Sequence, residues 1–344
     1  MKILFYSIKP MFLGDFLYNG FLELLGKNDI FFYKHEDYSI SNTSLNILNY
    51  KNISSDNLLE KIENFDYIFF SNSDFLDKYF YKVLNKKTNV KKIFFDGIDD
   101  FFIRRIYKHP EIFYYFKREL YSEPISKLKT IEWGLRYYYE LTRTPNTIGR
   151  KRYWFSYQNL PIGISYQKKF NLAPIPLTVA NPTKYLINKY REYEISFMGH
   201  NNNPERNKYI NILNRYLTNN KIKNFISTKI VDKENYIKVI RNSKSGLSVR
   251  GVGYDTYRYW EIPCYGTALL AQRTPISIPN NFVDEESAIF FENFNELKQK
   301  FEKYVIKTDE WMEIAKNGQK HFFKYHTPKK RAEYILNKLK GRSE

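Results

Sequence analysis

The chain has 344 residues, enough for about two domains that each bury their own core, and its 43% hydrophobic and 18% aromatic content excludes a disordered protein. One cysteine, Cys264, excludes an intrachain disulfide framework and a thiolate zinc cage, and makes a reducing compartment the expectation. The net charge of +18 fits a polyanionic partner such as nucleic acid, anionic lipid or a phosphorylated substrate, and equally fits a solvated surface in a chain rich in Lys, Asn, Ile, Tyr and Phe.

The opening MKILFYSIKP has no small-residue cleavage site and breaks at Pro10, so it reads as a first strand rather than a signal peptide. No apolar run approaches the roughly 20 residues that span a bilayer. The expectation is a soluble cytoplasmic protein, at most peripheral at a membrane. Residues 2–7 alternate as a strand, 15–25 read as an amphipathic helix, 30–33 as a strand and 56–62 as a helix. Residues 66–70 form the next predicted strand, 75–84 a helix, and 92–95 a strand ending at Asp96. This alternation predicts a parallel sheet with helices on both faces, and such sheets take ligands at the carboxyl ends of their strands. Asp15, Ser71, Asp74, Asp96 and Asp99 fall at or after such ends.

Residues 94–120 cluster the acids Asp96, Asp99 and Asp100 ahead of Arg104, Arg105, Lys117 and Arg118. Three readings stand together: a hard-cation site, which no His or Cys cluster supports, a cap of the next helix by Asp99 or Asp100, and a general base or acceptor contact at Asp96. From 104 to 155 basic and aromatic residues interleave, most densely at Arg150, Arg152, Tyr153 and Trp154. They suit an acceptor groove, stacking on bases or sugars, or an anionic membrane surface, and aromatics at helical spacing equally suit a core.

The proline-rich stretch 159–176 reads as the end of the first domain, and 182–190 as a helix leading into the second. A strand at 195–198 ends in Gly199 and the loop HNNNPERN, where Pro204 opens a helix and Arg206 projects toward the carboxyl-end crevice. Residues 225–231 read as a strand, 235–242 as a helix, and 245–249 as the strand that delivers Arg250.

The stretch RGVGYDTYRYWEIPCYGTALLA, residues 250–271, organises the second half. A loop with Gly251 and Gly253 leads to a short helix capped by Asp255 or Thr256 and ended near Pro263, then a turn at Gly266 and Thr267 and a buried strand. A glycine-bearing loop entering a helix N-terminus is a ready anion site, with Arg250 and Arg258 at its edges and Glu261 on the same helix. An acid beside two arginines suits a ligand with both phosphate and hydroxyls. After it, 288–291 read as a strand, 295–305 and 309–325 as helices, and Thr327-Pro328 as the cap and first turn of a final basic helix closed by Gly341.

The run EIPCYGTALLA resembles the donor-binding signature of GT-B-fold glycosyltransferases, and the wider GYDTYRYWEIPCYG is similar to the spore-maturation-type and exostosin-like branches, where an Arg precedes the Glu. The segments FVDEESAIFFENFNEL and EIAKNGQKHFFKYHT, with Arg331, resemble the tail of the same domain. The resemblance implies two Rossmann-like domains facing each other across a cleft: residues 1–180 for the acceptor, 190–326 for a nucleotide-sugar donor, and a terminal helix at 327–344 that crosses back. It implies a hexosyl- or pentosyltransferase needing no metal, with Arg206, Arg250, Tyr254, Asp255, Arg258, Glu261, Gly266 and Thr267 around the donor. Asp15, Asp96 and Asp99 are the candidate bases, with His35 and His200 weaker ones. In relatives with a paired-glutamate motif a second Glu stands where this chain has Gly253, so their retaining mechanism is not carried over. The expected acceptor is a surface glycan or lipid-linked saccharide. Alternatives are hydroxylated bases in nucleic acid, a non-catalytic basic binding module on the same frame, and a sugar-nucleotide epimerase.

Overall fold

The computed structural model of the protein describes residues 1–6, 14–33, 51–53, 55–71, 79–97, 102–103, 106, 109–122, 160–161, 171–179, 181–200 and 203–341. Within these, the side chains of 14, 15, 51–53, 55, 56, 102, 103, 160 and 161 lie outside the described set.

The first half runs β1 (Ile3–Phe5), α1 (Gly14–Leu25), β2 (Ile30–Tyr33), β3 (Lys51–Ile53), α2 (Ser55–Lys61), β4 (Tyr67–Ser71), α3 (Phe80–Asn85) and β5 (Lys91–Asp96). It continues with β6 (Phe102–Ile103), β7 (Ile112–Lys117), β8 (Leu160–Pro161) and β9 (Leu172–Pro174). The described strands make one parallel sheet ordered β3-β2-β1-β4-β5-β7-β9, with β6 and β8 as a separate antiparallel pair. The sheet is buried on both faces. Ile3 and Phe5 enter one apolar cluster while Leu4 and Tyr6 enter another, as the period of two requires. Its first face carries an aromatic ladder across five neighbouring strands. Phe32, Phe5, Phe69, Phe95 and Phe116 meet in sequence with ring centroids 5.1–5.3 Å apart.

The second half runs β10 (Tyr193–Met198), α4 (Pro204–Asn219), β11 (Asn224–Ser227), α5 (Lys233–Arg241), β12 (Ser243–Ser248), α6 (Tyr257–Cys264), β13 (Ala268–Gln272) and β14 (Ile289–Phe291). Then follow α7 (Phe294–Phe301), α8 (Glu310–Tyr325) and α9 (Pro328–Leu339). Its sheet is also parallel, ordered β11-β10-β12-β13-β14. Side-chain caps set several helix starts: Asn203 accepts from Arg206 N on α4, Asp232 from Asn235 N on α5, and Thr327 from Lys330 N on α9. The architecture is thus the expected α/β one of two parallel sheets with interleaved helices.

Two stretches differ from expectation. Residues 182–190 are extended, not helical. Tyr185 meets Tyr265 and Ile187 reaches Gly266, while Leu186 between them is 96% exposed. That alternation has the period of an extended strap. The Tyr185 carbonyl accepts from Gln319 Nε2 at 3.0 Å rather than from a helical N–H. The basic and aromatic run after Asp96 contains strand β7, whose placement between β5 and β9 gives the first sheet two more parallel members.

Helix α9 returns to pack on α1. Gly20 of α1 permits the approach, since a Cβ there would lie 2.1 Å from the Pro328 carbonyl oxygen.

Candidate functional site

The carboxyl ends of both sheets meet at a pocket of about 270 Å³. From the first half come Arg118, directly after β7, and Leu177, after β9. From the second come Gly199 and His200 after β10, Arg206 on α4, the loop Gly251, Val252 and Gly253 after β12, and Asp255, Thr256, Tyr257 and Arg258 at the start of α6. This is the position at which open parallel sheets bind ligands.

Arg206 is 5% exposed and held rigidly by backbone carbonyls: Nε donates to Arg250 O at 3.0 Å and Nη1 to His200 O at 2.8 Å. Burial, then repulsion from Arg258 and Arg250, pushes its guanidinium down to about 9. It stays charged at neutral pH, at a desolvation cost that a bound anion would offset. Arg258 donates from Nη1 to Met198 O at 2.9 Å and lies 4.8 Å from the Phe197 ring centroid. Burial lowers its pKa, with Tyr236 and Glu261 acting the other way. Its Nε is buried with no hydrogen-bond partner among the described residues. Buried donors of this kind call for an acceptor.

The α6 N-terminus points the same way. Thr256 occupies the cap position without capping: its hydroxyl pairs with Ser248 Oγ at 3.0 Å. The first-turn N–H groups thereby keep their preference for an anion.

Asp255 lines the pocket, yet its oxygens are committed elsewhere. Oδ2 accepts Leu177 N at 2.6 Å and Oδ1 accepts Trp260 Nε1 at 2.7 Å. Burial pushes its carboxyl up to about 6 against the pull of Arg118, those two donors and with a small push from Glu119. It is a pin between the connecting segment and α6, where the sequence had placed it at the donor. Arg331 and Thr178 reinforce the same junction: Arg331 Nη2 donates to Leu177 O at 3.3 Å, its guanidinium stacks 4.8 Å from Trp260, and Thr178 Oγ1 donates to His326 O.

Five other expected donor residues, Arg250, Tyr254, Glu261, Gly266 and Thr267, stand away from the pocket lining. Arg250 turns to Tyr254, whose hydroxyl accepts at 3.2 Å under a 4.6 Å ring stack, and to Glu205 at 3.6 Å. Gly266 and Thr267 precede β13, at the opposite end of the sheet from the pocket. Gly266 serves the turn there with φ of 77°, and the buried Thr267 hydroxyl donates to Ile240 O at 2.6 Å. Glu261 lies one turn along α6 from Arg258, accepting from Tyr236 OH at 2.6 Å through Oε2. Burial raises its carboxyl pKa, while Tyr236, Arg258 and Lys233 oppose the rise.

Of the candidate bases, Asp96 is fully buried, paired with Lys117 at 3.2 Å and accepting from Tyr115 OH at 2.5 Å. A carboxylate held in that way is part of the core of the sheet and is withdrawn from the cleft. Asp15 falls in α1 with its side chain outside the described set. Asp99, Asp100, His35 and the basic and aromatic residues Arg104, Arg105, Arg150, Arg152, Tyr153 and Trp154 also lie outside the described residues. No group of three or more metal-ligating side chains occurs among the described residues, and no described helix is long and apolar enough to cross a membrane.

Residues 191–337, which hold the second sheet and most of the pocket, match the family model described as glycosyl transferase-like. The chain is similar along its full length to OtsA, with 12% identity, 100% coverage of both chains and a TM-score of 0.55. It is similar to HepE of Anabaena in complex with UDP-glucose, with 9% identity, 99% of this chain and 100% of that chain covered, and a TM-score of 0.52. HepE in complex with UDP and glucose matches equally, at 10% identity and a TM-score of 0.52. These likenesses establish the GT-B fold, two Rossmann-like domains. No curated protein matches the sequence.

Proposed function

We propose that the protein is a glycosyltransferase that moves a sugar from a nucleotide-sugar donor to an acceptor hydroxyl without a metal. The observation that carries this reading is the convergence of Arg206, Arg258 and the uncapped α6 N-terminus on one pocket at the sheets' carboxyl ends. In the transfer, the acceptor oxygen bonds to the anomeric carbon as the bond from that carbon to the terminal phosphate oxygen breaks. The electron pair leaves on the diphosphate, and fixed guanidiniums and helix N–H groups stabilise the charge that develops there. Glu261 is assigned to the ribose hydroxyls, with Tyr236 orienting its carboxylate. The UDP and UDP-glucose held by HepE support UDP as the first nucleotide to try.

The acceptor hydroxyl's proton goes to a first-domain base or to the departing phosphate, and Asp15 and Asp99 are the residues to test. The acceptor is a surface glycan or lipid-linked saccharide, with transfer beside an anionic membrane in the cytoplasm. The charge of +18 favours a second reading, transfer to hydroxylated nucleic-acid bases. Incubation with UDP-, GDP- and ADP-sugars in excess chelator, with glycan, lipid-linked and DNA acceptors, tests all of this. Acceptor-dependent release of nucleoside diphosphate and a matching mass gain on the acceptor support it. A requirement for added divalent ion contradicts the metal-free mechanism, and donor conversion without any acceptor points to epimerisation.

A further inference from the structure

Arg118 belongs to the first sheet by position and to the second by contact. It follows β7 directly, and its N–H donates to Asp96 O at 2.9 Å, continuing the ladder with β5. Its side chain nevertheless lines the pocket with Arg206 and Arg258 and is 2% exposed.

The chain after it is stitched to the second half. Glu119 Oε1 accepts Asp255 N at 3.0 Å, Leu120 O accepts Ser277 N at 2.6 Å, and Ser122 N donates to Pro275 O at 2.9 Å. Tyr121 also forms an antiparallel bridge with Ile276. The guanidinium is therefore placed by both halves of the molecule.

Its acidic neighbours, two carboxylates against the pocket's three guanidiniums, offset only part of the positive charge. Glu119 and Asp255 stand 3.7 and 3.9 Å from Arg118, and each already accepts backbone or indole N–H groups. Among the pocket's lining side chains three are guanidiniums and one is a carboxylate, so an anion is the complement the site favours.

We propose that Arg118 is a donor-contacting residue supplied by the first domain, bonding the diphosphate together with Arg206 and Arg258. The proposal rests on the donor reading above. It makes the bound nucleotide a bridge between the sheets, so that the donor site is complete only when the 118–122 segment is docked on the second domain.

Calorimetric titration of inorganic pyrophosphate and UDP into the full chain, wild type against Arg118→Met and Arg118→Lys, tests it, with ligand-observed NMR of uridine as the phosphate-free control. Affinity for pyrophosphate and UDP is expected to fall about tenfold in Arg118→Met and less in Arg118→Lys, with uridine binding unchanged. Equal affinities in wild type and variants overturn the proposal and leave the donor reading standing. A parallel loss for uridine and UDP overturns it too, because Arg118 would then act only on the fold. A folded wild type that binds neither UDP nor pyrophosphate removes the donor reading along with it. Arg118→Lys keeps a positive charge beside Asp255 and Glu119, and its pyrophosphate affinity decides the matter if Arg118→Met does not fold.

Discussion

Glu119 and Gly253 fit one another so closely that a Cβ on Gly253 would lie 2.0 Å from Glu119 Oε1. The space at this glycine in the loop after β12 is thus occupied: a carboxylate from the first half sits where a side chain would start, and it accepts the nearby Asp255 N–H.

Gly253→Ala is accordingly expected to displace the loop and weaken nucleotide binding. Overpacking of this kind costs about 1–3 kcal/mol, readable by urea denaturation. Shortening the opposing residue should relieve it, so Glu119→Ala combined with Gly253→Ala should cost less than the two single losses added. Strict additivity would contradict the packing relationship.

The buried pair of Asp96 and Lys117 predicts a structural phenotype. Asp96→Ala leaves an uncompensated buried ammonium and should destabilise the protein by about 3–5 kcal/mol. Chemical denaturation measures the loss. A variant of wild-type stability that has lost catalysis would return Asp96 to the list of bases.

Gly20→Ala is expected to push α9 away from α1, because its methyl would meet the Pro328 carbonyl. The expected cost is again about 1–3 kcal/mol, and a melting temperature equal to wild type would contradict the close helix crossing.

Asp255 gives a signed pH dependence. Its folded carboxyl titrates near 6, above the ordinary value of 3.8, so between those values the native state holds a proton that the unfolded state has lost. Its contribution to stability therefore falls as pH rises from 4 to 6, by an amount on the order of 3 kcal/mol, and levels off above 6. The stability difference between wild type and Asp255→Asn, followed by urea unfolding from pH 4 to 7.5, should carry that slope. A flat difference would contradict the raised carboxyl.

How legible this was in the sequence varied with the range of the forces involved. Strands such as Ile30–Tyr33 and helices such as Pro328–Leu339 were readable because alternation and capping are local. Arg206 and Arg258 were readable as residues near the carboxyl-end crevice because each follows a strand end and a loop along the chain, whereas Arg250, read with Arg258 as the edge of an anion site, turns to Tyr254. Arg118 was missed as a pocket residue: β7 is hidden in a run of aromatics and lysines without clean alternation, and only sheet order carries its end to the second domain. Residues 182–190 read as helical, yet Tyr185 and Ile187 dock with a strand's spacing as part of an extended strap. Gly266 and Thr267 are adjacent in sequence to the site's helix, but α6 runs away from the pocket and leaves them at the far end of β13.

The donor proposal puts the diphosphate of a nucleotide sugar in the pocket at the start of α6. Calorimetric titration of UDP, GDP and ADP into the folded protein in chelator, repeated with Arg258→Ala, tests it most directly. One nucleoside diphosphate should bind the wild type with one-to-one stoichiometry and about 10- to 100-fold more weakly in the variant, the loss of a charge-assisted hydrogen bond. Binding unaffected by Arg258→Ala, or no binding of any of the three by folded wild type, would contradict it.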